Sequence, residues 1–153
     1  MCGNSSQRSQ GGALAVLSLS HDISGSPIRS RVPVMAGCLT FRDQDEGNSI
    51  SASYVTFTVD LTTCMPPPEE TCMIGIHETG DLRTSAIMSP FKFKLNLTKL
   101  SAVDEDSGTF KMSAKLDHLL MASVGGDGII GRRVSLWTPQ SIAPFAEGII
   151  GFN

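Results

Sequence analysis

From Ser49 to Leu61 the chain alternates at nearly every step: Ile50, Ala52, Tyr54 and Thr56 fall on one face of an extended backbone, Ser51, Ser53, Val55 and Phe57 on the other. A period of two, rich in β-branched and aromatic residues, fits a strand and not a helix. A strand of this length suits a β-sandwich or barrel. The rest of the chain carries the same signal in shorter pieces. Apolar or alternating runs extend from Ala13 to Ser20, Ala36 to Arg42, Cys72 to His77, Lys92 to Lys99, Thr109 to Leu116, Arg132 to Trp137 and Glu147 to Phe152. Gly, Pro, Asp and Ser separate them, as turn chemistry requires.

The connections are equally informative. Ser24-Gly25-Ser26-Pro27 turns the chain after the first strand, and Asp43 to Asn48 is a tight polar link. Pro66-Pro67-Pro68 cannot lie inside a sheet, because proline lacks the ladder donor. Asp104-Glu105-Asp106-Ser107-Gly108 is expected to be a solvated hairpin tip. Residues 1–12, polar and Gly-rich, are expected to be a disordered arm, with a single domain over residues 13–153. Eight strands in antiparallel order predict an all-β, closed Greek-key sandwich or barrel.

Twelve basic against 15 acidic residues give a net charge of −3, which offers no electrostatic footprint for nucleic acid or anionic lipid. No run approaches the roughly 18 apolar residues of a membrane span, and the N-terminus lacks the apolar core of a signal peptide. A soluble, intracellular protein is expected. In that compartment Cys2, Cys38, Cys64 and Cys72 are expected as thiols, although Cys64 and Cys72 flank the proline run and could approach each other. Asn4-Ser5-Ser6 and Asn96-Leu97-Thr98 are then chance matches to the glycosylation pattern.

Three segments carry a resemblance. Gly75-Ile76-His77-Glu78-Thr79-Gly80-Asp81 resembles the segment of copper/zinc superoxide dismutases that holds two copper-binding histidines one residue apart. Gly128-Ile129-Ile130-Gly131-Arg132 is similar to the segment before the strand with their last copper histidine. Ala146 to Phe152 resembles their C-terminal strand. With Ala15-Val16-Leu17 and Gly37-Cys38-Leu39-Thr40-Phe41, these segments fall in family order over nearly the whole domain. The resemblance implies the family's eight-stranded Greek-key barrel.

The departures from that family all concern its site. Gly75 stands at the first copper-histidine position and Trp137 at the last, so His77 is the only retained one. Phe93 and Asn96 fall near the zinc histidine and aspartate positions. Residues 82–90, without a histidine, replace the long zinc loop, and Thr138 to Pro144 replaces the loop that guides superoxide, with Pro144 at the expected arginine. Glu147 takes the place of the C-terminal disulfide cysteine. One imidazole cannot supply the converging ligands that copper needs, so the resemblance implies no catalytic residue, metal site or cofactor. Shortening of both loops is similar to the superoxide dismutase-like proteins of poxviruses, which implies a virion or host-cytoplasmic protein with no small-molecule substrate.

Other candidates have ordinary roles. His21 and His118 are expected in loops, as solvated side chains. Gly80 and Asp81 are expected to form a turn, the glycine for positive φ and the carboxylate as acceptor from backbone amides. Gly125-Gly126-Asp127-Gly128 leads into a strand, not a helix, so it is no phosphate loop. Ile129, Ile130, Gly131 and Phe152 match the apolar two-fold contact of active relatives. Either a homodimer or a non-covalent encounter with host superoxide dismutase or its copper chaperone is expected there, with core packing of the isoleucines as the alternative. A residual metalloenzyme with a remodelled ligand set around His77 completes the possibilities.

Overall fold

The computed structural model describes residues 11–20, 37–43, 50–60, 71–99 and 108–153, and every regular element among them is a strand. In chain order these are β1 (Ala13–Leu19), β2 (Gly37–Arg42), β3 (Ser51–Asp60), β4 (Thr71–His77), β5 (Phe91–Lys99), β6 (Thr109–Val124), β7 (Gly128–Ile130), β8 (Arg133–Trp137) and β9 (Ala146–Phe152). Hydrogen-bonded neighbours run β3-β2-β1-β9-β8-β4-β5-β6, and β3 also pairs with β6. That last pairing closes eight antiparallel strands into a barrel, with β5 and β6 joined only at Thr98↔Ser113 and Lys99↔Met112.

Register sorts the side chains. Ala13 and Ala15 sit opposite Phe41 and Leu39, which in turn face Val55 and Phe57 across the next pairing. All six are buried in the barrel core. Small residues on β1 leave room for the aromatic rings of β2 and β3, which lets the interior pack closely. From the other side Ile74 pairs with Leu136 and Ile76 with Val134, both inward. The residues that alternate with them, Gly75, His77 and Ser135, therefore point out of the barrel.

Two features differ from the expected eight strands. β6 runs on to Val124 instead of ending at Leu116, because its pairing with β3 slips between Ala52 and Tyr54 and resumes at Ala52↔Leu120 and Ser51↔Met121. His118, expected in a loop, and its neighbour Asp117 are exposed positions of this irregular strand. Second, Gly128–Ile130 forms a ninth, three-residue strand parallel to the tail of β6. A parallel partner this short leaves no alternation to detect. Gly125 and Gly126, with φ of 76° and 49°, make the reversal between them. The expected disordered arm, the proline run and the Asp104 to Asp106 tip lie almost wholly outside the described residues, only Gly11 and Gly12 of the arm being within them.

The inward placement of Phe57, which is 0% exposed, makes a simple prediction. Phe57→Ala lowers unfolding stability by about 3–5 kcal/mol in urea titrations, whereas Val16→Ala, at an outward site, changes it by about 0.5 kcal/mol or less. Equal effects would refute the register.

Candidate functional site

Residues 78–90 leave β4 after His77 and return to β5 at Phe91, lying against the outer face of β4, β8 and β9. The site is what this connection covers. His77 and Ser135 beneath it are fully buried. The imidazole places Nδ1 3.2 Å from the Ser89 carbonyl and Nε2 2.7 Å from Ser135 Oγ. A carbonyl only accepts, so Nδ1 carries the proton and Nε2 receives the Ser135 hydroxyl. Ser135 Oγ also accepts the indole N–H of Trp137 at 2.8 Å. The chain Trp137 to Ser135 to His77 to Ser89 leaves the imidazole with no open lone pair.

Aromatic rings fill the remaining space. Phe91 lies 4.7 Å from His77 and 6.0 Å from Trp137, centroid to centroid, the second contact edge to face. Lys94 Nζ sits 5.0 Å over the same phenyl ring. Gly75 is what admits Phe91: a Cβ there would stand 2.1 Å from Phe91 Cε1. Gly75 and Trp137 are thus joined through one ring into an apolar plug.

A second cluster fastens the connection. Arg133 is 0% exposed and Glu147 2%. Arg133 donates from Nε to Glu147 Oε2 at 2.9 Å and from Nη2 to the same oxygen. Its Nη1 reaches the carbonyls of Asp81, at 3.2 Å, and Thr84. The neighbouring Arg132 donates to the carbonyls of Glu78, Gly126 and Gly128. Gly80 does not occupy the positive-φ region expected of it. Its glycine is required by contact, because a Cβ would lie 2.2 Å from the Gly131 carbonyl oxygen. Asp81 does form the expected turn, accepting the Arg83 amide at 2.9 Å. Hydrogen bonding to the Arg83 guanidinium holds its carboxyl below the usual range.

The other candidates are dispersed. His118 is on β6, an exposed residue whose ring is 5.6 Å from Phe93, and His21 lies outside the described residues. Asn96 is exposed on β5 and does not approach His77 in any hydrogen bond described. Among the described residues no group of three or more His, Cys, Asp or Glu could hold a metal ion. Ile129 and Ile130 are buried, at 0% and 8%, while Gly131 and Phe152 are exposed, Phe152 at 67%. Sequence reasoning missed Val16 and Ile149 as surface residues; antiparallel register places them side by side on the outer face of β1 and β9. It also missed Ser135, Arg133 and the pairing role of Glu147. The two charges inside apolar strands were the available signal, since a charge in such a position needs a partner.

No family model and no curated protein matches the sequence.

Burial pushes the His77 pKa below its ordinary 6.5, partly offset by the bond to Ser89, with Arg133 lowering and Glu147 raising it more weakly. Because folding lowers this pKa, the unfolded chain takes up the proton first. The stability from neutral His77 is complete above 6.5 and drains as pH falls below it. Denaturant midpoints, followed from about pH 8 down to about pH 5 across the range in which imidazoles ordinarily titrate, should fall more steeply for the wild type than for His77→Gln. Parallel curves would contradict a buried neutral imidazole. Gly75→Ala, which collides with Phe91, is expected to cost about 1–3 kcal/mol. In Gly75→Ala/Phe91→Leu the cost should be less than the sum of the single effects, the mark of a shared contact.

Proposed function

We propose that this chain is a superoxide dismutase-like Greek-key barrel without catalysis, acting as a structural or binding protein through its surface. The observation that carries the reading is the state of His77. Its Nε2 lone pair, the one a metal would need, is occupied by the Ser135 hydroxyl, and Phe91 and Trp137 fill the adjacent volume. Copper coordination would require displacing that hydroxyl and several packed rings before any second ligand is found. The strand order supports the barrel half of the reading. β1, β2 and β3 are sequential neighbours, β9 returns beside β1, and the chain crosses the barrel between β3 and β4 and again before β8. The shortened connections at residues 78–90 and 138–145 support a likeness to the poxviral proteins, and with it a place in the virion or host cytoplasm. Purified protein should contain no stoichiometric copper or zinc and should leave superoxide dismutation at the free-solution rate. Stoichiometric metal lost in His77→Ala would favour the residual metalloenzyme instead.

A second reading has its own observation. Val16 and Ile149, at 72% and 38% exposure, adjoin on the outer face of β1 and β9. An apolar surface of this kind favours association with a second copy, or with host superoxide dismutase or its chaperone. Sedimentation at micromolar concentration should detect a dimer, or a complex with added dismutase, that Ile149→Asp abolishes. A monomer inert to both added proteins would sink it.

A further inference from the structure

Residues 78–90 are held down in an unusual way. Their own hydrogen bonds are local: Glu78 N–H to the Pro90 carbonyl at 3.0 Å closes the neck, Met88 and Ser89 bond to Ser85 and Ala86 within a single turn, and the Asp81 and Ser85 side chains accept the Arg83 and Ile87 amides. Fixation comes from below. Five of their backbone carbonyls are taken by donors from outside the segment: Glu78 by Arg132, Thr79 by the Arg133 amide at 3.0 Å, Asp81 and Thr84 by the Arg133 guanidinium, and Ser89 by His77. Two of the five depend on the Arg133 guanidinium and a third on its backbone amide. That guanidinium is itself aimed by the Glu147 carboxylate on β9, with both side chains almost completely buried. Apolar packing contributes one fully buried anchor, Ala86, while Ile87 and Met88 face solvent.

We propose that residues 78–90 form a strap with the Arg133–Glu147 ion pair as its latch, and that the strap opens as a unit when the pair is broken while the barrel remains folded. The separation follows from where the bonds go. The barrel closes through the backbone ladders of eight strands and an apolar interior to which neither Arg133 nor Glu147 contributes. The strap has no ladder of its own. Removing the carboxylate frees the guanidinium to seek water, and the Asp81 and Thr84 carbonyls lose their donor together. Opening then bares His77 and Ser135, the groups the strap keeps dry, so the latch sets whether the plugged site meets solvent. This inference does not depend on the proposed function, since it concerns the cover and not what lies beneath it.

Amide hydrogen exchange tests it, with two variants. Glu147→Gln removes the charge that aims Arg133 and leaves its guanidinium without a counter-ion; Arg133→Met/Glu147→Leu replaces the pair with apolar volume, a change buried ion pairs commonly tolerate. In both, the amides of Glu78, Met88 and Ser89 should exchange at least about tenfold faster, with β1 to β3 amides unchanged in the double variant. Unchanged strap exchange in the folded double variant would overturn the proposal. So would equal acceleration of strap and barrel, or failure of both variants to fold, because the pair would then support the barrel itself.

Discussion

The pairing of β4 with β8 sets everything outside the barrel. Ile74 and Ile76 must face inward with Leu136 and Val134 to complete the core. Once they do, Gly75 opposite Ser135, and His77 one step beyond, have no choice but to project outward on the same face. A slip of one residue would bury a serine, an arginine and a histidine in the apolar interior and expose four aliphatic side chains. The apolar core thus pays for the polar cluster, and the cluster in turn dictates what the covering residues must supply.

Polar groups gathered under a cover need partners, and the two clusters solve this differently. His77 stays neutral and is satisfied by neutral groups, a hydroxyl and a carbonyl. That solution carries the smaller penalty, since no charge leaves water. Arg133 and Glu147 are matched charges, and their mutual attraction must offset a desolvation penalty of several kcal/mol per ion. The guanidinium's remaining donors are used on carbonyls, which is the condition under which such a pair is tolerated. What the pair supplies is definition: it chooses one position for residues 78–90 out of the many that a short polar connection could adopt.

Much of the fold was legible from alternation alone. The strands lining the core were found because half of each is apolar and because turn residues bracket them. The tail of β6 was not, since Asp117, His118 and Leu119 are all exposed there and a strand wet at three successive positions has no period to detect. The site was legible only in part. Gly75 and Trp137 stand out only through the resemblance, and nothing in the order of residues says that Phe91 enters the space over Gly75. That contact needs the β4 to β5 register, with its irregularity between Ile76 and His77. Ser135 was invisible for the same reason: one serine in an alternating strand becomes the centre of a hydrogen-bond chain only when β8 is laid beside β4. Ile129 and Ile130 were ambiguous between core and surface, because both environments select the same side chains.

The central claim is that His77 is a neutral, fully hydrogen-bonded part of a closed plug. Nitrogen-15 NMR of its imidazole, recorded at neutral pH before and after adding one equivalent of copper or zinc, examines this directly. A protonated Nδ1 and an unprotonated Nε2, with neither resonance moved by metal, is the predicted result. A proton on Nε2, or a shift of its signal on metal addition, would contradict it.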